Sequence, residues 1–227
     1  MHGSGLHYFP LALPFLLALF LLAALLIGLI EVGILSYAYE KIGINRRYVF
    51  LLLALSFFGS YVNIPIMELP AQEVLSNREI FFFGMRYVIP LIEQAPRTIV
   101  AVNLGGAVVP ILVSIYILFK KRNYLRALAA VVIVAAIVHL LAEPVPGLGI
   151  AVPTLVPPIL AAVTALCLAR RNAPPLAYIA GSLGTLIGAD LMNLGKVQGL
   201  GAPIVSIGGA GTFDGIFLSG IIAVLLA

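Results

Sequence analysis

The chain has 227 residues, of which 62% are apolar and only 10% are charged, against about 25% charged in an ordinary soluble domain. A chain of this size cannot hide that apolar excess in one aqueous core, so lipid must act as its solvent and a soluble globular class is excluded. The net charge of +4 does not point to nucleic acid, because the bases fall in short loop groups: Lys41, Arg46 and Arg47, then Lys120, Lys121, Arg122 and Arg126, then Arg170 and Arg171.

A helix that crosses a bilayer needs about 20 apolar residues. Seven stretches qualify in chain order: 10–37, 48–64, 98–119, 125–141, 154–169, 175–193 and 203–227. The residues before the first stretch lack a basic signal-peptide region, and no small-residue cleavage site follows, so a retained first helix is expected. The basic groups follow the first, third and fifth stretches. Cytoplasmic loops carry the excess of Lys and Arg, which predicts an N-terminus outside, a C-terminus inside and a plasma-membrane location. The expected fold is therefore an all-α polytopic bundle of about seven spans, forming one transmembrane domain over 1–227.

Two segments resist a simple helical reading. Residues 67–97 carry Glu68, Glu73, Arg78, Glu79, Arg86, Glu93 and Arg97 together with the run Ile80–Phe83. That mixture predicts an external interfacial helix or short hairpin. Residues 143–158 hold five prolines and two glycines, and irregular backbone at membrane depth survives only when buried in protein or lining a wet cavity. An external loop folding back over the mouth of the bundle fits.

A faint internal repeat runs through the chain. Val102-Asn-Leu-Gly-Gly-Ala107 opens the third stretch and Val205-Ser-Ile-Gly-Gly-Ala210 the seventh, each preceded by Ala-Pro. Gly59-Ser60 with Met67-Glu-Leu69 echoes Gly184-Thr185 with Met192-Asn-Leu194. The pairs run in the same directions, which suggests parallel three-helix halves joined by the fourth span, an arrangement found among transporters.

Ionisable groups inside spans are costly and are functional candidates by default. Asp190 lies about 15 residues from the inner start of the sixth stretch, and Asp214 about 13 from the inner end of the seventh. At about 1.5 Å per residue their heights are roughly 22 and 20 Å, so the carboxyls could meet. Two carboxyls in a low-dielectric site share a proton. One can then act as base on water while the other protonates a leaving amine, or the pair can bind a small cation or carry protons. Gly188 precedes Asp190, and Gly208, Gly209, Gly211, Thr212 and Gly215 surround Asp214, so another backbone can approach closely there. Asn103, Gly105, Gly106 and Asn193 add polar and small-residue lining, with Asn63 at the comparable end of the second stretch.

Other chemistry finds less material. His139 and Glu143 stand four apart, one above the other if the fourth helix continues, but a metal site needs more ligands and no HExxH pattern exists. No cofactor or metal is expected. Glu31 reads as a snorkelling residue, and Cys167 lies in an apolar run with nothing nearby to stabilise a thiolate.

The strings NLGGAVVP, GTLIGADLMNL and SIGGAGTFDGIF resemble an uncharacterised prokaryotic family of integral membrane proteins, a domain of unknown function covering most of the chain. Gly188-Ala-Asp190 and Phe213-Asp214 further resemble elements of the presenilin-like, GxGD-type intramembrane aspartyl proteases, though in reversed order and without a following Pro-Ala-Leu. That resemblance implies Asp190 and Asp214 as catalytic residues acting on a transmembrane peptide. The alternatives are a cation- or proton-coupled transporter or channel using the same pair, and a non-catalytic membrane scaffold. Membrane lipid is the expected surrounding partner in each case, and nucleic acid in none.

Overall fold

The computed structural model describes residues 13–70, 73–82, 85–94, 97–145, 149–197, 204–209 and 215–227. The chain divides into two units, one ending at Tyr37 and the other running from Ala38 to Ala227. Helix α1 (Leu13–Lys41) supplies the described part of the first and passes into the second. In the second unit, α2 (Arg46–Gly59) starts where Asn45 accepts the backbone N–H of Arg47 at 3.2 Å, the side-chain cap that frees helix N-termini from orphan donors.

After α2 the chain leaves the helical pattern. Strand β1 (Asn63–Leu69) is followed by a long hairpin of β2 (Glu73–Phe82) and β3 (Met85–Gln94) and then by β4 (Thr98–Asn103). The described residues of 67–97 therefore form strands, β2 and β3 pairing as a hairpin, where an interfacial helix was the other expectation. A π-helical turn, Leu104–Val108, leads into α3 (Val109–Lys121), where Pro110 occupies the first turn, the position at which its missing N–H costs least. Arg122 ends α3 in a left-handed conformation at φ 54°.

Next come α4 (Tyr124–Leu141), a short hairpin of β5 (Glu143–Val145) and β6 (Gly149–Ala151), and α5 (Val156–Leu168), which again opens on prolines. The segment 143–158 is thus part hairpin and part helix. Glu143 lies on β5 beyond the end of α4, so it does not stack on His139 along one helical face.

The run Arg170–Val197 is helical throughout but irregular. It contains two 3-10 turns (Arg170–Asn172 and Leu191–Asn193), α6 (Ala173–Ile179), two π turns (Ala180–Gly184 and Leu186–Asp190) and the short α7 (Leu194–Val197). Strand β7 (Ile204–Ile207) and α8 (Gly215–Leu226) complete the described chain.

Among the described residues four helices are long and apolar enough to cross a membrane: Phe20–Lys41, Leu104–Lys121, Tyr124–Leu141 and Arg170–Val197. Large apolar side chains face outward along them, with Leu125 and Leu140 about four-fifths exposed at the two ends of α4. In water such a surface would aggregate, whereas in lipid it is solvated. Helices α2, α5 and α8 are shorter, at 14, 13 and 12 residues. The expected spans 48–64, 98–119 and 203–227 each include a strand, because β1, β4 and β7 form one three-stranded sheet in the order β1-β4-β7. Their β-branched, apolar residues satisfy the backbone by pairing laterally instead of within a helix. The protein is therefore mostly helical with small sheets.

Helices α4, α5, α6 and α8 and the π turn Ala180–Gly184 pack together as the interior. Close approach there relies on small residues. A Cβ on Gly188 would lie 2.9 Å from the Ala135 Cα of α4, and one on Gly181 would lie 2.8 Å from the Ser219 carbonyl oxygen of α8.

Candidate functional site

The site is assembled at the sheet. Strand β4 is central, with β1 antiparallel on one side and β7 parallel on the other. Asn63 pairs with Asn103, and Ser206 pairs with Ala101. Residues two apart on a strand share a face, so Asn103 and Ala101 project to the same side. The small Ala101 leaves room for Ser206 to reach over β4, and its Oγ donates to Asn63 Oδ1 at 2.5 Å. Asn103 is buried and fully engaged. Its Nδ2 donates to the Ser60 carbonyl at 2.7 Å and to Asn63 Oδ1 at 3.0 Å, while its Oδ1 accepts the Gly106 N–H at 2.8 Å. The last bond caps the π turn that starts α3.

Asp190 reaches this cluster from the helical run Arg170–Val197. Its Oδ2 accepts the backbone N–H of Gly208 at 2.7 Å, immediately after β7. Gly208 adopts φ +75°, a conformation that L side chains rarely take, and a Cβ there would lie 2.5 Å from that of Ala107. Gly209 N–H turns back to the Ser206 carbonyl at 3.1 Å. A Cβ on Gly209 would collide with the Ser206 hydroxyl and lie 3.3 Å from Asn103 Cβ. The turn Ser206–Gly209 therefore ties Asp190 to Asn63, Asn103 and Ser206. Asp190 Oδ1 has no hydrogen-bond donor among the described residues.

The other expected residues divide. Gly106 serves the cluster through its amide. Gly105 instead lies against α2, where a Cβ would collide with the Ser56 carbonyl. Gly188 packs on α4, and its carbonyl accepts from Asn193 Nδ2 at 2.8 Å, as does that of Ala189 at 2.9 Å. Asn193 thus caps carbonyls released by the π turn of its own helix, with its Oδ1 buried and without a partner among the described residues. Gly215 starts α8 and faces open space. Gly211, Thr212 and Asp214 lie outside the described residues, as does any approach of Asp214 to Asp190. Among the described residues no three of His, Cys, Asp and Glu stand together as metal ligands.

Ser206 and the Ser60 carbonyl were not expected as members. Ser206 was detectable, since it takes the place of Asn103 when the two Gly-Gly motifs are aligned. The Ser60 carbonyl was not, because a backbone acceptor leaves no trace in side-chain chemistry. The two motifs also meet physically: Val102 pairs with Ile207, so their strands lie side by side and parallel, offset by two residues from motif alignment. The second echo is one of sequence alone, because 63–69 is strand where 188–194 is helical.

The chain found no match among curated proteins or among solved structures, presenilin-like proteases included. A family model does match, over residues 57–226, a span containing Asn63, Asn103, Asp190 and Ser206. The chain accordingly belongs to that family, described as a protein of unknown function, DUF1614.

Proposed function

We propose that this protein is a cation- or proton-coupled membrane transporter in which Asp190 is the coupling carboxylate. The observation that carries the reading is the bond from Gly208 N–H to Asp190 Oδ2, made where a strand gives way to a glycine turn beside three polar side chains. A carboxylate at membrane depth is expensive. One backbone donor offsets part of that cost, and a bound cation or proton would offset the rest. Ser206 Oγ gives its proton to Asn63 and keeps its lone pairs, and a hydroxyl oxygen together with the Asp190 carboxylate suits a hard cation.

The same reading takes the helical segments as seven spans, N-terminus outside and C-terminus inside the plasma membrane. Support comes from the basic residues after α1, α3 and α5. Parallel halves joined by α4 are supported by the parallel pairing of β4 with β7, each followed by Gly-Gly. The short helices α2 and α8 would then cross with the help of extended chain, as in broken-helix transporters.

The test is uptake into proteoliposomes with two probes, ²²Na⁺ and a pH-sensitive dye under an imposed potential. Wild type should move one of them, and Asp190→Asn should abolish that flux while remaining folded. Equal flux in both proteins removes Asp190 from the mechanism.

A second reading is an intramembrane aspartyl protease using Asp190 and Asp214 on a transmembrane peptide. It is favoured by the tie between Asp190 and Gly208, since Asp214 follows Gly208 by only six residues. Cleavage of a membrane-embedded reporter peptide, lost in Asp190→Asn and in Asp214→Asn, would establish it. Cleavage by the doubly substituted protein would eliminate it.

A further inference from the structure

A groove of about 470 Å³ runs between α2 and α3, lined by Ile44, Asn45, Leu51, Leu52, Leu112 and Val113, with Tyr48 and Tyr116 at its edges. Its walls are apolar but one end is strongly basic. Lys120 Nζ donates to the Gly43 carbonyl at 2.6 Å and to Tyr116 Oη at 3.2 Å, and it stands 5.3 Å from the centre of the Tyr116 ring. The turn at Gly43 also draws in Lys121: a Cβ at Gly43 would have Lys121 Nζ 3.8 Å away and Lys120 Nζ 3.9 Å away. Two ammonium groups thus stand together, and neither has a carboxylate partner among the described residues.

From Lys120 back to Leu112 the groove extends about 12 Å along α3, away from the charges and toward the apolar part of the helix. An occupant must therefore be anionic at one end and hydrocarbon at the other. We propose that the α2–α3 groove binds one anionic phospholipid, with its phosphodiester at Lys120 and Lys121 and an acyl chain against Leu51, Leu52 and Leu112. A zwitterionic lipid brings its own cation and gains less from the lysines. Lys120 has already used two of its three donors, so Lys121 makes the larger share of phosphate contacts. The basic loops mark this as the inner face, where basic pockets between helices meet anionic headgroups.

The experiment is native mass spectrometry of the detergent-solubilised full chain, titrated with phosphatidylglycerol or with phosphatidylcholine of the same acyl composition. Wild type should hold the first about tenfold more tightly, with the difference shrinking as salt rises. The pair Lys120→Gln and Lys121→Gln should bring the two lipids level. Leu112→Trp, which fills the groove and keeps both lysines, should weaken both. Arg170→Gln with Arg171→Gln removes a basic pair that does not line the groove and should leave the preference intact. No preference in wild type, an unchanged preference after the lysine substitutions, or an equal loss after the arginine substitutions would each overturn the proposal. So would a dimer that Leu112→Trp dissociates, since a second copy would then fill the groove. Should the lysine variant fail to fold, Leu112→Trp and the salt titration still decide.

Discussion

Gly208 donates its backbone N–H to Asp190 Oδ2 at 2.7 Å, joining the end of β7 to a helix that precedes it by 18 residues. Two roles meet in that bond: a carboxylate charge and a mechanical tie. Asn keeps an acceptor oxygen and loses the charge, whereas Ala loses both. Asp190→Ala should therefore cost about 1–3 kcal/mol, the price of an unpaired buried donor, and Asp190→Asn clearly less. Thermal unfolding of the two variants in nanodiscs checks this. Equal destabilisation would mean that charge, not the tie, holds the turn, and would remove Asp190→Asn as a clean probe of transport.

The Gly208 side of the same turn is constrained by both backbone and space. At φ +75° an L residue loses about 1–2 kcal/mol, and a Cβ would lie 2.5 Å from Ala107 Cβ. Overpacking typically adds about 1–3 kcal/mol. Gly208→Ala should thus be strongly destabilising. Adding Ala107→Gly should recover only part of the steric loss, because the backbone N and Cα of residue 107 would still lie 2.7 and 2.9 Å from the new Cβ, and it leaves the backbone strain. Full rescue by the second substitution would show that the left-handed conformation carries no cost here.

Much of the bundle was legible because apolar length and basic loops are local signals. The four long helices overlap stretches recognised from composition and run a few residues past them, and Asp190 stood out as an acid within one of them. The sheet was not legible. In β1, β4 and β7, residues such as Ile64, Ile99, Val100 and Ile204 are as apolar as a buried helix, and at strand lengths an apolar run does not distinguish the two. Their pairing joins segments 105 residues apart, as Ile99 and Ile204 are, and no local pattern encodes that. Hairpin β2–β3 was half visible in the charged, aromatic stretch 67–97, which allowed either a helix or a hairpin. The glycines misled in a different way. Gly105 and Gly188 sit beside polar residues in sequence, yet their missing side chains admit helix α2 and helix α4.

Asn103 and Asn63 form the clearest coupled pair in the cluster, linked at 3.0 Å while Asn103 makes two further bonds. Asn103→Ala leaves the Gly106 N–H and the Ser60 carbonyl without partners and should cost about 2–4 kcal/mol, at about 1–2 per orphaned group. Asn63→Ala should cost less, because Asn63 is exposed and water can replace its bonds. A double-mutant cycle should return a coupling of about 0.5–3 kcal/mol. A coupling near zero would show that Asn103 acts only as the cap of α3.

Tyr178 presents the opposite case, a polar group whose removal should help. Its side chain is fully buried against Tyr39, with ring centroids 6.3 Å apart, and its ring would meet a Cβ placed on Gly220 at 3.3 Å. The hydroxyls of Tyr178, Tyr39, Ser56 and Ser182 are all buried and neighbour one another, Tyr39 beside Tyr178 and Ser56 and Tyr178 beside Ser182, yet none reaches full hydrogen-bond geometry with a described residue. Burying an unpaired hydroxyl costs about 1–3 kcal/mol, whereas replacing it by an apolar group of the same shape is neutral or stabilising. Tyr178→Phe keeps the ring and its packing, so it should raise stability by up to about 1 kcal/mol, and Ser182→Ala should act in the same direction. Thermal unfolding in nanodiscs reads both. A loss of more than about 1 kcal/mol in Tyr178→Phe would instead mean that the hydroxyl is bonded in the folded protein, to the neighbouring hydroxyl of Tyr39 or Ser182.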